Sequence, residues 1–480
     1  MWWKSSGISV ALMHAMLSEE SRGDIMFKLF RGGIHPADGK TLAREAAIET
    51  MPAPALVALP LSQHIGAPCE PIVKVGEQVK RGQCIATSKA FLHADIHASV
   101  SGKVKKIEDG MIFIENDGQD TWADGLPLSR DWQTMTREEL LGAIEAAGIV
   151  GMGGATFPAH VKLMPKKPVD VLILNGAECE PYLTADDRLM REEPERVVTG
   201  ARILAKILGT KRSVIAVEAN KPEAAAALQR AAGEGIEVAV LRTRYPQGAE
   251  KMLIYAVTGR EVPLGGLPMD AGAVVQNVGT AAAVTDACLH GLPLTERITT
   301  VSGDAIRTPK NLRVRLGTSY RDAIAFCGGF SEQPDKVLAG GPMMGRAQES
   351  LDVPITKGSS GILALTRRIT AHGPELHCIR CGRCVAACPM GLVPSMLSIL
   401  GERQDVEKAR DSYGVMNCIE CGCCTYACPA KRNIVQYIRV TKGAVKALAA
   451  KEKAKAAARA KAAEQAAMAG KPEGKGAARA

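Results

Sequence analysis

With 480 residues, 46% of them apolar, the chain is long enough for three or four domains with ordinary buried cores. Aromatic residues make up only 4%, which argues against a platform for stacking nucleic-acid bases, so no nucleic-acid partner is expected. The net charge of +9 is concentrated at one end: ten Lys or Arg against three Glu between Thr441 and Ala480 supply +7 of it, and the remainder is nearly neutral.

No stretch reaches the roughly 18–20 apolar residues that a membrane-spanning helix requires. Gly7 to Leu17 is the nearest approach to a signal-peptide core, but His14, Glu19, Glu20 and the lack of an Ala-x-Ala site argue against that reading. Met26 is an alternative start. Residues 1–55 are expected to be irregular, with Arg31-Gly32-Gly33-Ile34-His35-Pro36 as a turn-rich opening. Residues 56–110 alternate short β-prone runs with Gly and Pro turns, from Ile72 to Gln83 and again from Ala98 to Val104. This pattern resembles the barrel-sandwich hybrid domains that carry biotin or lipoate. The carrier position falls near Phe91, and neighbouring Lys89 lacks the usual acidic-Ala-Met context, so a purely structural barrel is expected.

Residues 111–295 read as an α/β unit, a Rossmann-like fold with a parallel sheet. Helices are predicted over Arg137–Ala147, Glu195–Leu208 and Glu223–Ala232, and strands over Val169–Leu174, Ser213–Val217 and Ile236–Leu241. Residues 296–350 return to short β-like runs around a helix at Tyr320–Cys327, a small β-grasp-like module. Residues 365–440 form an α-helical domain rich in cysteine. The Ala- and Lys-rich tail, residues 441–480, favours helix up to Gly470 and Pro472 but has few apolar anchors. Its charge suits contact with an anionic membrane surface.

Fourteen cysteines divide into nine within 378–428 and five scattered ones, Cys69, Cys84, Cys179, Cys288 and Cys327, which read as small core residues. The nine include Cys378-x-x-Cys381-x-x-Cys384-x-x-x-Cys388-Pro389 and Cys418-x-x-Cys421-x-x-Cys424-x-x-x-Cys428-Pro429. Structural zinc normally uses two Cys-x-x-Cys pairs separated by a longer loop, and disulfides need an oxidising compartment. The spacing instead matches the bacterial ferredoxin run twice, which implies two 4Fe-4S clusters. In two-cluster ferredoxins the fourth cysteine of each run ligates the other cluster. On that pattern Cys378, Cys381 and Cys384 pair with Cys428, and Cys418, Cys421 and Cys424 pair with Cys388. Cys423 reads as a spare thiol.

Two further stretches suggest where electrons enter. Gly151-Met152-Gly153-Gly154-Ala155-Thr156-Phe157-Pro158 places three glycines in four residues, which lets backbone N–H groups close on a flat or anionic ligand. Asn175-Gly176-Ala177-Glu178-Cys179-Glu180-Pro181 directly follows an apolar strand, where α/β sheets bind ligands. In this order they resemble the flavoprotein subunit of respiratory complex I, which has a Gly-rich loop ending Phe-Pro and then an Asn-Gly-x-Glu-x-Glu-Pro loop. Gln276-Asn277-Val278-Gly279-Thr280 is similar to the Asn-Asn-Val-Glu-Thr stretch of that family, with Gly279 in place of the acidic residue. The resemblance implies non-covalent FMN and NADH as substrate. Gly151, Gly153, Gly154, Asn175 and Asn277 would hold FMN, Lys162 would approach its phosphate, Phe157 would stack on nicotinamide and Glu178 would orient NADH. No catalytic side chain is singled out, because the flavin itself accepts hydride and releases single electrons.

The full order, from Gly32-Gly33-Ile34-His35-Pro36 through barrel, flavin-type domain, β-grasp-like module and two ferredoxin runs, resembles the C subunit of the Rnf (Rsx) electron transport complexes over residues 26–440. That family implies a peripheral subunit on the cytoplasmic side of the bacterial inner membrane. Its partners would be integral membrane subunits of the same ion-translocating complex, with ferredoxin or another low-potential carrier at the other end. A soluble iron–sulfur flavoprotein dehydrogenase module shares these redox centres and differs in its partners; a zinc-stabilised scaffold shares neither flavin nor clusters.

Overall fold

The computed structural model describes residues 29–469; the Gly7–Leu17 segment, the Met26 start and residues 470–480 lie outside the described residues. The barrel is built from a sheet ordered Leu56–Pro60, Met111–Asn116, Gly102–Glu108, Gln78–Val79 and a second ordered Glu70–Pro71, Cys84–Thr87, Ile96–His97. Strand alternation sends Val57 and Leu59 inward opposite Ile114 and Ile112, and all four are fully buried. Each such side chain contributes about 1.5–3 kcal/mol by leaving water. Met111–Asn116 pairs with strands on both sides, so the barrel continues past the expected boundary at residue 110. Lys89 is exposed in the surface turn before Ile96, as is Phe91.

The α/β unit centres on four parallel strands in the order Glu237–Leu241, Arg212–Glu218, Val171–Gly176, Ala273–Asn277. Its two faces are both apolar, as a covered parallel sheet requires. Leu172, Leu174, Ile215, Val217 and Val274 pack on helices Pro194–Leu208, Pro222–Ala232 and Val278–His290. Val171, Ile173, Val214, Ala216 and Val275 face helix Glu250–Thr258. Pro194 opens its helix at a position where no N–H is needed, and Gly209, at φ 64°, ends it in the left-handed conformation. A Cβ at Gly200 would lie 2.0 Å from Ala281 O, so the two long helices approach at a glycine. Helix Ala185–Glu192 and strand Ala273–Asn277, which the periodicity did not single out, complete the unit.

A six-stranded mixed sheet follows, ordered Ile48–Thr50, Lys310–Arg315, Glu296–Ser302, Gly361–Leu365, Lys336–Ala339, Arg346–Gln348. It corrects two expectations. The 1–55 segment is not wholly irregular, since Ile48–Thr50 pairs in parallel with Asn311–Arg313. Nor does the sheet end at residue 350, because Gly361–Leu365 lies between two of its strands.

In the cysteine-rich domain, helices Arg383–Ala386 and Cys423–Tyr426 follow matching turns, with Arg380 and Gly382 at φ 56° and 76° and Glu420 and Gly422 at 58° and 78°. Leu397, Leu400, Ala409, Val415, Ile434 and Ile438 form its core. The tail boundary at 441 falls inside one helix, Ile434–Ala469. Thr441 and Val445 are buried, and Lys442 Nζ donates to Cys418 O at 2.8 Å. Truncation after Val440 is therefore expected to destabilise the domain, about 1.5–3 kcal/mol for Val445 alone, whereas truncation after Lys453 leaves it intact. Iron content and thermal unfolding of the two truncations distinguish this from a tail that is dispensable from residue 441.

Candidate electron-transfer site

The two loops that resemble flavoprotein loops meet at the C-terminal edge of the parallel sheet. Asn175 and Asn277 are direct partners on adjacent strands, at the point where strand order reverses. The Gly-rich loop closes on itself through Gly151 N to Phe157 O at 2.8 Å and Thr156 N to Gly151 O at 3.0 Å. Met152 N donates to Thr280 Oγ1 at 2.9 Å, fastening the loop to the first turn of the Val278–His290 helix. Gly153, Gly154 and Ala155 present exposed backbone, while Phe157 is half-buried. Gly154, at φ 98°, opens onto free space, whereas a Cβ on Gly153 would touch the Asn277 side chain at an ordinary 3.5 Å. Glycine is therefore demanded at Gly154 more than at Gly153.

Most polar side chains expected to reach a ligand are occupied within the protein. Asn175 Nδ2 donates to Gly248 O at 2.8 Å, and its Oδ1 accepts from Ala177 N. Asn277 Oδ1 caps the following helix by accepting from Gly279 N at 2.8 Å, and its Nδ2 donates to Asp186 Oδ2 at 2.7 Å. Glu178 accepts from Asp186 N and Asp187 N at 2.8 and 3.2 Å, capping helix Ala185–Glu192. Lys162 Nζ pairs with Glu250 Oε1 at 2.7 Å. These residues shape the loops; the accessible face is backbone. The buried Gln247 Nε2 and Gln276 Nε2 have no partner among the described residues. Exposed glycine backbone with unpaired amide donors nearby fits a ligand carrying acceptor atoms, as FMN does.

Backbone strain collects at this edge. Thr156 and Glu178 hold φ of 50° and 41°, a region costing side-chain-bearing residues about 1–3 kcal/mol. The Glu178 loop is held by buried Lys40, whose Nζ donates to Glu178 O and Glu180 O at 3.0 and 2.9 Å and also to Leu183 O. Burial raises the Glu178 carboxyl pKa and lowers that of Lys40, and their mutual attraction opposes both shifts.

The nine clustered cysteines surround two cavities. One is lined by Cys388, Cys418, Cys421, Cys423 and Cys424. The other is lined by Cys378, Cys381, Cys384 and Cys428. The last cysteine of each run thus lies with the first three of the other. Among the described residues no three cysteine sulfurs come within 4.8 Å of one another, while thiolates sharing one zinc ion sit about 3.8 Å apart. Burial pushes the Cys418 thiol up to about 11 and Cys424 to about 12, so these thiolates need a positive partner in place, as iron would supply. Glu420 N donates to Cys418 Sγ at 3.3 Å and Leu392 N to Cys388 Sγ at 3.4 Å, the kind of contact that tunes a cluster's potential.

The 175–181 loop is linked to the first of these cavities through Tyr245. Tyr245 Oη donates to Cys421 O at 2.8 Å and lies 3.4 Å from Glu180 Oε1. Glu180 also accepts from Met343 N and Met344 N at 3.1 and 2.8 Å. Gly33 N donates to Ala387 O at 2.9 Å, while Ile34 N donates to Tyr245 O at 2.8 Å. The Gly32-Gly33-Ile34 motif therefore stitches the cysteine domain to the parallel-sheet domain. Lys40 and Tyr245 were missed from sequence, because a lone Lys or Tyr in an irregular stretch has no pattern that announces such partners; Glu180 stood in a motif but with no role.

The chain matches four families: the RnfC barrel sandwich hybrid domain over residues 28–121, the Nuo51 FMN-binding domain over 144–286, the SLBB domain over 298–347 and the 4Fe-4S dicluster domain over 374–429. It is 56% identical to the C subunit of the proton-translocating ferredoxin:NAD(+) oxidoreductase complex of Clostridium ljungdahlii, covering 90% of this chain and 97% of that one. It is 49% identical to the C subunit of the ion-translocating oxidoreductase complex of Rhodobacter capsulatus, over 86% and 82% of the two chains. Identity to the C subunit of the Na(+)-translocating ferredoxin:NAD(+) oxidoreductase complex of Acetobacterium woodii is 47%, over 86% and 96%. With glycine loops at the edge of a parallel sheet, paired cysteine cavities beside them and this similarity along almost the whole chain, the protein belongs to the RnfC family, the C subunits of ion-translocating ferredoxin:NAD(+) oxidoreductase complexes.

Proposed function

We propose that this subunit passes electrons between NADH and its partner subunits through FMN held at the 151–157 and 175–181 loops and through two 4Fe-4S clusters. The observation that carries this reading is Tyr245, whose hydroxyl bonds Cys421 O at 2.8 Å and lies 3.4 Å from Glu180 of the 175–181 loop, linking that loop to a cysteine cavity. The fold is read as Rossmann-like at the flavin domain and β-grasp-like at the 298–347 module. Gly153 and Gly154 hold FMN through their backbone, and Gly151 closes the loop that presents them. Asn175 and Asn277 fix the loops around it, Lys162 lies towards its phosphate, Phe157 towards nicotinamide, and Glu178 orients NADH by way of the loop it caps. Bound FMN supplies the change from two-electron hydride chemistry to the one-electron chemistry of clusters. Cys418, Cys421, Cys424 and Cys388 ligate the cluster beside Tyr245; Cys378, Cys381, Cys384 and Cys428 ligate the other.

Among the described residues no helix is long and apolar enough to cross a membrane. We place the subunit at the cytoplasmic face of the inner membrane, held by integral subunits of its complex, with ferredoxin or another low-potential carrier as the second redox partner. Co-purification with those membrane subunits separates this from a soluble dehydrogenase.

Gly154→Val tests the flavin site. A Cβ there sits in the unfavourable φ region, costing about 1–3 kcal/mol, and projects into the open space above the loop. FMN content is expected to drop at least tenfold with iron retained, while Gly153→Ala keeps its flavin. Normal flavin and NADH oxidation in Gly154→Val would remove the loop from the site.

A further inference from the structure

Three side chains that the electron-transfer reading does not use converge between the barrel and the parallel-sheet domain. His93 comes from the barrel loop before strand Ile96–His97, Glu145 from helix Arg137–Ala146, and His160 from the short helix Ala159–Lys162 directly after the Gly-rich loop. Glu145 Oε1 lies 3.8 Å from His93 Nε2 and 3.7 Å from His160 Nε2. These separations are too long for hydrogen bonds. One ligand atom from each residue falls within a 4.8 Å group. The imidazole rings meet edge to face, with centroids 5.5 Å apart and planes at 64°.

Histidines in a protein interior ordinarily have hydrogen-bond partners at their ring nitrogens. Here His93 Nδ1 is buried with no partner among the described residues, and His160 is only 4% exposed. Two imidazoles and a carboxylate are the donor set of zinc and similar borderline ions. Ligand atoms around a four-coordinate ion with bonds of 2.0–2.2 Å lie about 3.4 Å apart, so each histidine needs to close on Glu145 by only a few tenths of an ångström. Asp95 Oδ1 lies 3.9 Å from His93 Nε2 while accepting from Thr87 Oγ1 at 2.6 Å. The nearby cation, Lys357, turns its Nζ to the carbonyls of Asp95 and Gly148, at 2.5 and 2.7 Å.

We propose that His93, Glu145 and His160 bind one divalent transition-metal ion of the zinc class, which clamps the barrel to the segment carrying the Gly-rich loop. The ion bridges three chain segments that otherwise meet without a bond between these side chains. Its role is structural: it fixes His160, three residues after Phe157, against the barrel.

The test uses the full chain with flavin and clusters in place, handled without oxygen, and Zn2+ as the probe in calorimetric titration, with iron, zinc and FMN measured on each sample. One Zn2+ per chain is expected to bind with iron content unchanged, which separates this site from capture by cluster cysteines. His93→Ala and His160→Ala are each expected to weaken binding at least tenfold. Because His160 is buried, Glu145→Gln serves as the variant that preserves folding: Glu145 is exposed, and its amide is a poor ligand, so binding should fall by a similar factor with normal FMN, iron and thermal unfolding. Failure of the wild-type chain to bind Zn2+, or equal affinity in the wild type and Glu145→Gln, would overturn the proposal.

Discussion

Cys428→Ala is expected to damage the cluster associated with the first cysteine run, not the one nearest to it in sequence. Cys428 lines the same cavity as Cys378, Cys381 and Cys384, whereas Cys418, Cys421 and Cys424 surround the cavity that contains Cys388. The reason is local. A short helix, Cys423–Tyr426, carries the third cysteine, Cys424, and by its end the chain has turned away from the corner wrapped by the first three. Loss of one of four thiolates leaves three ligands, so about one iron per chain should be lost at the least, with a three-iron species as the product. Cys388→Ala should act on the second run's cluster. Cys423 is buried beside Cys421 and lines the cavity of the second cysteine run, not that of the first, so it is a substitute ligand for the second run's cluster alone. Cys388→Ala is therefore best read with and without Cys423→Ala. EPR spectra compared with Cys381→Ala and Cys421→Ala decide the matter: if Cys428→Ala loses the signal that Cys421→Ala loses, the crossed assignment is wrong.

Gly32→Ala is expected to disconnect the flavin site from the cysteine domain. Gly32 holds φ 70°, and a Cβ there would stand 2.6 Å from both the carbonyl carbon and oxygen of Cys388. The left-handed conformation alone costs about 1–2 kcal/mol for a residue with a side chain. The collision adds to it, because its partner is backbone and cannot rotate aside. Either residues 30–34 lift away, breaking Gly33 N to Ala387 O and Ile34 N to Tyr245 O, or Cys388 moves out of its cavity. Both outcomes disturb the same junction. NADH oxidation by an artificial acceptor that takes electrons at the flavin should persist, while reduction of the clusters by NADH slows at least tenfold. Gly76→Ala provides the control, since Gly76 has φ 90° and nothing within 4 Å of its would-be Cβ. If the two variants behave alike, contact with Cys388 is irrelevant to transfer.

How much of this was legible in the amino-acid order depends on the range of the interaction involved. Helices Pro194–Leu208 and Pro222–Ala232 and strand Arg212–Glu218 lie within one or two residues of their predicted bounds, since periodicity, an opening Pro and a closing Gly act within a few residues. Strand Ile48–Thr50 was not legible: three residues carry too little pattern, and only the distant strand Lys310–Arg315 gives them a ladder. The same holds for Gly361–Leu365, which joins the sheet after an irregular excursion.

The cysteine runs and glycine loops speak for themselves because ligand chemistry demands particular residue types at short fixed spacing, and the spacing survives without knowledge of the fold. What those loops do with their side chains is decided only in three dimensions. Asn175, Asn277, Glu178 and Lys162 are each paired with residues from other segments, at Gly248, Asp186, Asp187 and Glu250, which leaves the Gly153–Gly154 backbone as the open surface. The junction built by Gly32, Tyr245 and Cys421 is of the same kind, joining residues hundreds of positions apart. Local spacing thus determined which chemistry this protein can hold; long-range packing, which sequence periodicity does not encode, decided which loop backbone is left open and which cysteine cavity lies near it.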